Sequence, residues 1–227
     1  MKSTKTMIII AMFAAVIAVL AQIAIPLPSG VPVTLQTFAV ALTAVVLGAR
    51  LGSLSTLIYI LLGAAGAPVF TGFNGGLGAI VGKTGGFIWG FLFLAFFTGA
   101  GAAVMTKTGE EEKNWKRHGG LSGEGAGSKS NDGFKEKRRS FLPKITGFLL
   151  GLTGLLICHV FGTIQYALLG NMGSRQAALL VSVPFLIKDI CSLALAFLLG
   201  IQVRRQLYRA SFLQKPARGR NVRQIWR

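Results

Sequence analysis

Six apolar runs without a single charged residue limit most strongly what this chain can fold into. A helix needs about 20 residues to cross the hydrocarbon core of a bilayer. Several runs approach or exceed that length; they cover residues 7–25, 31–47, 51–81, 84–106, 145–174 and 190–203. Because 52% of the 227 residues are hydrophobic as well, we expect an integral membrane protein.

Glycine and proline mark where these runs should break into separate helices. The predicted fold is an all-α bundle of six transmembrane helices that forms a single domain over residues 1–227. The helices are expected near residues 7–25, 34–49, 51–66, 84–106, 144–169 and 177–204. The first run is longer than the apolar part of a signal peptide, about 7–15 residues, so we expect it to remain as a helix.

Two polar segments lie outside the predicted helices. Residues 107–143 are rich in glycine, serine and mixed charge, which predicts a disordered insert. Residues 204–227 form a basic tail.

The basic residues predict the orientation in the membrane. With six spans and a cytoplasmic amino terminus, all but three of the 24 Lys and Arg residues lie inside; the exceptions are Lys83, Arg175 and Lys188. Such an excess is typical of cytoplasmic segments, so both termini and the insert are predicted to face the cytoplasm of a cell-membrane protein. Topology and anionic lipid then account for the net charge of +17, and nucleic acid is not an expected partner.

Asp189 is the one acidic residue outside the insert. A carboxylate at the centre of a spanning helix costs about 2.5–3.5 kcal/mol, so it should face the bundle interior and have a partner. The adjacent Lys188 could offset the charge. If the helix begins at residue 177, Asp189 lies about 18 Å inside it; if Pro184 occupies the first turn, Asp189 is much nearer the surface. We favour a ligand contact over an ion pair that only joins two helices.

The glycine-rich stretch GFNGGLGAIVGKTGGF at residues 72–87 contains a GKT sequence. A phosphate-binding loop needs G-x-x-x-x-G-K-[ST], but Leu77 stands where the first glycine belongs, so nucleotide hydrolysis is not expected. We interpret the stretch as a loop that packs closely against a ligand, with Asn74 supplying two donors and an acceptor. The alternative is a tight turn packed only on protein.

Other candidates carry weaker signals. Thr34 and Gln36 in VPVTLQTF could contact a ligand or only cap a helix, and His159 is expected to be a hydrogen-bonded packing residue. Cys158 and Cys191 are predicted to be unpaired, and without metal-ligand spacing we expect no metal or cofactor. Small residues four apart predict close helix contacts; these pairs are Ala11 and Ala15, Ala14 and Ala18, and Gly86 and Gly90.

Four segments carry a family resemblance: IPLPSGVPVTLQTF at 25–38, LGARLGSLSTLIYILLGAAGAPVF at 47–70, GGLGAIVGKTGGFIWGF at 75–91 and PFLIKD at 184–189. They resemble BioY, the biotin-binding S components of energy-coupling factor (ECF) transporters. The resemblance implies a six-helix S-component fold with biotin near the outer face and no catalytic residues. Asn74 and Asp189 match ligand-contacting positions. The family often has D-x-x-K in the sixth helix, but Ser192 takes the lysine position here and Lys188 precedes the aspartate.

The resemblance also implies a ligand chemistry and partners. Asp189 would accept a hydrogen bond from the ureido ring of biotin, Asn74 would pair with a ureido edge, and Phe73 and Phe87 would form apolar walls. The partners would be a transmembrane coupling subunit and two ATPase subunits. The face with Ala11 and Ala15 is similar to the alanine motif that S components use to contact the coupling subunit.

Three other functions stay open at this point. The chain could be an S component for another vitamin, or a proton-coupled carrier that uses Asp189. It could also be an intramembrane serine protease, which would need Ser53 or Ser55 beside His159.

Overall fold

The computed structural model describes the backbone of residues 2–26, 31–118 and 129–210, and the side chains of residues 4–26, 31–106 and 141–210. The described chain forms eight α-helices: α1 (Lys2–Ala21), α2 (Gln36–Leu47), α3 (Ala49–Ala64), α4 (Leu77–Val81), α5 (Gly85–His118), α6 (Lys129–Gly170), α7 (Ser174–Val181) and α8 (Val183–Arg209). Helices α1, α2, α3, α5, α6 and α8 each overlap one of the six predicted helices, with different bounds. The short helices α4 and α7 were not predicted as separate elements.

Four of the described helices are long and apolar enough to cross a membrane, namely α1, α5, α6 and α8. Helices α2 and α3 are apolar but have only 12 and 16 residues. They are therefore about 18 and 24 Å long, shorter than the roughly 30 Å hydrocarbon core. The all-α membrane fold is confirmed, whereas only four of the six predicted spans have the expected length.

Helix α2 lies at the centre of the bundle, in contact with α1, α3, α5 and α8. Ten of its 12 residues are buried. A helix that is apolar on all sides is expected in such a position. Arg204 of α8 donates a hydrogen bond from Nη1 to the Val45 carbonyl oxygen (3.1 Å), which satisfies one of the carbonyl groups at the end of α2. Arg204 was predicted to begin the basic tail, but it is buried in the bundle.

Helices α5 and α6 make the most extensive contact in the bundle. Gly86 and Gly90 lie at a close approach of α5 to α6. A Cβ atom at Gly86 would lie 2.2 Å from the Phe161 carbonyl oxygen, and one at Gly90 would lie 2.6 Å from the Cys158 Cα atom. The close contact predicted from this glycine pair is present.

The region predicted to be a disordered insert begins and ends as helix. Helix α5 continues to His118 and α6 begins at Lys129, so the backbone of residues 107–118 and 129–143 is helical. The expectation of disorder is wrong for these residues, because polar helix formers allow a helix to continue beyond the apolar core. Residues 119–128 of the insert and residues 211–227 of the tail lie outside the described part of the chain.

The predicted sixth helix is two helices. Helix α7 ends at Val181, Ser182 interrupts it, and α8 begins at Val183 with Pro184 in its first turn. Proline is well tolerated in a first helical turn, where its missing N–H group has no partner to lose. Asp189 therefore lies about 9 Å from the start of α8, the shallower of the two predicted positions.

A small roof covers the end of the bundle where α1 ends and α2, α5 and α8 begin. Part of it is a hairpin that the sequence did not predict, in which β1 (Ala24–Ile25) pairs antiparallel with β2 (Val33–Thr34). The other part is the loop of residues 69–74. Gln22 holds this loop: Nε2 lies 3.1 Å from the carbonyl oxygens of Ala18, Val69 and Phe70, and Oε1 accepts a hydrogen bond from the Phe73 N–H (2.9 Å).

Candidate ligand-binding site

A cavity of about 490 Å³ lies beneath this roof. Its wall combines the roof with the first turn of α2, the first two turns of α5 and α8, parts of α4 and α7, and His159 of α6. Small-molecule sites generally measure about 300–1,000 Å³ and combine apolar walls with a few polar groups. Six of the seven predicted ligand-binding residues line it: Thr34, Gln36, Asn74, Phe87, Lys188 and Asp189.

Asp189 is buried at the cavity wall, with 4% of its surface exposed. Lys188 Nζ forms an ion pair with Oδ1, and His159 Nε2 lies 3.2 Å from Oδ2. A carboxylate has about four lone-pair sites, so these two contacts leave room for ligand donors. The carboxylate therefore joins two helices and also lines a cavity, and its contact with a ligand stays a prediction.

Lys188 connects α8 to the roof. Its ammonium group pairs with Asp189 and also donates a hydrogen bond to the Thr34 carbonyl oxygen (3.1 Å). Ser192, which stands at the family's usual lysine position, does not line the cavity. The cation beside Asp189 is therefore supplied from the residue before it.

Thr34 and Gln36 line the cavity but also bind within the protein. The Thr34 hydroxyl oxygen accepts a hydrogen bond from the Gln36 N–H (3.3 Å) at the start of α2. Gln36 Nε2 donates to Tyr59 Oη (2.6 Å), and Gln36 Oε1 accepts from Thr71 Oγ1 (3.3 Å). The helix-end role considered for these residues is present for Thr34, whereas the Gln36 side chain binds no helix-end N–H and instead supports the roof.

Asn74 lies in the roof loop. The side-chain Nδ2 of Asn74 donates to the Thr71 carbonyl oxygen (3.1 Å), and the backbone carbonyl oxygen of Asn74 accepts from the Phe70 N–H (3.0 Å). Among the described residues, Oδ1 makes no hydrogen bond with protein. One side-chain acceptor and one N–H remain for a ligand.

The two aromatic residues predicted to form walls of the site differ in whether they reach the cavity. Phe87 lines the cavity and packs edge-to-face against His159, with the ring centres 5.8 Å apart. Phe73 has a positive φ of 57° and 71% of its surface exposed. The structure does not bring Phe73 into the cavity, whereas Phe70, Phe91 and Phe185 line it without having been predicted.

His159 is the principal site residue that sequence reasoning missed. It was expected to be a hydrogen-bonded packing residue, and it is buried and contacts Ser182, but it also lines the cavity and contacts Asp189. A usable signal existed, because Asp189 is the one carboxylate outside the insert and needs a buried partner.

The Ser–His pair required for a protease is not formed as considered. Ser55 Oγ donates to the Ile10 carbonyl oxygen (2.9 Å), while His159 contacts Ser182 instead (3.2 Å). Ser182 does not line the cavity, so its hydroxyl cannot reach a molecule bound there.

Comparison with known proteins gives the family. A BioY family profile matches residues 1–209. The chain belongs to the BioY family. The resemblance seen in the four sequence segments is thereby confirmed, as is the expectation that the protein is a transport component and not an enzyme.

Two BioY relatives match nearly the whole chain. A probable biotin transporter BioY of Pyrococcus horikoshii is 32% identical over 196 residues, which cover 86% of this chain and 94% of the relative. Biotin transporter BioY2 of Lactococcus lactis is 32% identical over 209 residues, which cover 91% and 95%. Among solved structures, the S-component for biotin from an ECF-type ABC transporter has a TM-score of 0.61, with 24% identity and coverage of 91% and 92%. The BioY fold is therefore present, in a multi-pass membrane protein.

Proposed function

We propose that this protein binds biotin with high affinity and takes it up across the cytoplasmic membrane as the substrate-specific subunit of an ECF-type ABC transporter. The observation that carries the proposal is the buried Asp189 carboxylate at the wall of a cavity that combines aromatic and polar side chains, in a chain of the BioY family. Relatives that match almost their full length are named as biotin transporters.

The cavity suits the chemistry of biotin. Its ureido ring presents two N–H donors and one carbonyl acceptor, and Asp189 and Asn74 supply the complementary groups. Its thioether ring is apolar and matches walls such as Phe87 and Phe91. A site whose buried polar groups need these partners rejects molecules that lack them, because the groups would be left unpaired.

The test is binding to the purified full-length protein in detergent, measured by calorimetry. We expect saturable binding of biotin at one site, with riboflavin and thiamin unable to displace it. Mass spectrometry of small molecules that co-purify provides an independent reading. Displacement by riboflavin or thiamin would instead assign the chain to another vitamin, and no heat with any of the three would reject the proposal.

We further propose that six helices cross the membrane: the four long ones and, as shorter spans, α2 and α3. With cytoplasmic termini, this topology keeps nearly all Lys and Arg residues inside. The cavity then opens toward the outer face, where external ligand enters. A carboxy-terminal reporter that is active only outside the cell would contradict this orientation.

The proposed partners are a coupling subunit and two ATPases. Ala11 and Ala15 are exposed on α1, next to the exposed Ile8, Met12 and Val19, and so form a flat apolar face with small residues at its centre. Small residues let another helix approach closely.

Enlarging this face should break the complex without affecting the cavity. For an Ala11→Trp/Ala15→Trp variant, we expect unchanged biotin affinity but about tenfold or greater loss of coupling subunit in co-purification, equivalent to about 1.4 kcal/mol. Leu198→Trp, at an exposed position of α8, is the matched control. Equal recovery of the coupling subunit with all variants would remove α1 from the interface.

A further inference from the structure

A line of polar side chains leads away from the cavity between α6 and the α7–α8 junction. His159 Nε2 lies 3.2 Å from Asp189 Oδ2, and His159 Nδ1 lies 3.2 Å from Ser182 Oγ. Ser182 Oγ lies 2.6 Å from Thr163 Oγ1. His159, Ser182 and Asp189 are all buried. Buried polar groups need hydrogen-bond partners, and here each side chain is the partner of the next one along the line.

The line depends on an unusual use of Ser182. A serine that precedes a helix ordinarily accepts a hydrogen bond from an N–H of the first helical turn. Ser182 makes no such bond at the start of α8. Its hydroxyl turns to α6 instead, where His159 and Thr163 stand one turn apart on the same face. The hydroxyl therefore hydrogen-bonds to His159 rather than to an N–H group of α8.

Every polar atom along the line can be paired. With Nε2–H donating to Asp189 and Nδ1 accepting, the Ser182 hydroxyl can donate to Nδ1 while it accepts from Thr163. Rotating the imidazole would break both of its contacts. A histidine whose two nitrogens are occupied in this way holds its partner in a set orientation, as outer ligands do around metal sites.

We propose that His159, held by Ser182 and Thr163, is a positioning residue that orients the Asp189 carboxylate toward the N–H groups of the ligand. The inference rests on the proposed biotin function. Lys188 pairs with one carboxylate oxygen and His159 contacts the other, and because Asp189 lines the cavity, a remaining lone pair can accept from a ligand there.

The test compares biotin affinities of full-length variants by calorimetry. His159→Phe keeps an aromatic ring against Phe87 but removes both nitrogens, and we expect it to weaken binding about tenfold or more. His159→Gln keeps a side-chain N–H donor and should bind within about threefold of wild type. Ser182→Ala, which frees the ring, should produce a smaller loss than His159→Phe. Thr153→Val removes an exposed α6 hydroxyl far from the line and should have no effect.

A double-mutant cycle separates action through Asp189 from direct contact. If His159 acts through the carboxylate, His159→Phe should cause no further loss in an Asp189→Asn background, because interacting residues are not additive. Independent, multiplying losses would overturn the inference. If the Asp189→Asn variants bind biotin too weakly to titrate, the single variants decide. Equal losses for His159→Gln and His159→Phe, with unchanged affinity for Ser182→Ala, would also overturn the inference. Wild-type protein that does not bind biotin would reject the proposed function itself.

Discussion

Replacing Asp189 with asparagine is expected to weaken biotin binding by about 100-fold or more. The substitution keeps the size of the side chain but places an amide where an anionic acceptor should meet a ureido N–H. A hydrogen bond to a charged group contributes about 1.5–3 kcal/mol, and an unpaired donor in the cavity adds its own cost. Titration calorimetry on the purified variant measures the loss directly.

The controls separate binding from folding. Ser192→Ala, on the same helix but away from the cavity, should keep wild-type affinity. Asp189→Asn alone leaves the half-buried Lys188 ammonium without its carboxylate, and a charge that loses its partner while partly withdrawn from water is destabilising. A Lys188→Met/Asp189→Leu double variant should therefore recover thermal stability but not binding. If the Asp189→Asn variant binds biotin as tightly as wild type, Asp189 does not contact the ligand.

Adding one methyl group at Gly90 should destabilise the bundle strongly. A Cβ atom there would lie 2.6 Å from the Cys158 Cα atom and 2.8 Å from its Sγ, so α5 and α6 must move apart. Overpacking typically costs about 1–3 kcal/mol, and backbone contacts cannot relax by a change of rotamer. We expect Gly90→Ala to lower the melting temperature in detergent by about 6–12 °C, the scale for roughly 3 kcal/mol in a chain of this length.

Gly173 provides the matched comparison. It precedes α7 with φ of −64°, and a Cβ atom there would have no other atom within 4 Å. Gly173→Ala should therefore melt close to wild type, whereas Gly86→Ala, beside the Phe161 carbonyl oxygen, should behave like Gly90→Ala. Equal melting temperatures for all three variants would contradict the close α5–α6 packing.

The positions of the long helices could be read from sequence because lipid permits few charges within a span. Where the uncharged runs end, the polypeptide need not stop being helical, and the ends of α5 and α6 around the insert were missed for that reason. The hairpin was missed because each strand has only two residues, too few for an alternating pattern. The break at Ser182 was signalled by Pro184, but only packing on α6 decides between one helix and two.

Of the residues near the cavity, some could be predicted from the sequence and others could not. Charge alone singled out Asp189, while the glycine loop brought attention to Asn74, and both line the cavity. His159 was not predicted because a single imidazole in an apolar run has no pattern, and its pairing depends on how α6 meets α8. Phe73 belongs to the same loop as Asn74, yet the positive φ of its backbone directs the ring outward. No local sequence signal reveals this.

Gln22 links the end of α1 to the loop that covers the ligand cavity. Its single amide fastens the end of α1 to the backbone of the loop that carries Thr71 and Asn74. If α1 swings against its neighbours, the loop must travel with it or these bonds must break, at a net cost of about 0.5–1.5 kcal/mol each. A displacement of α1 would thus reach the cavity by two routes, through the Gln22 amide to this loop and through β1, which follows α1 and pairs with β2.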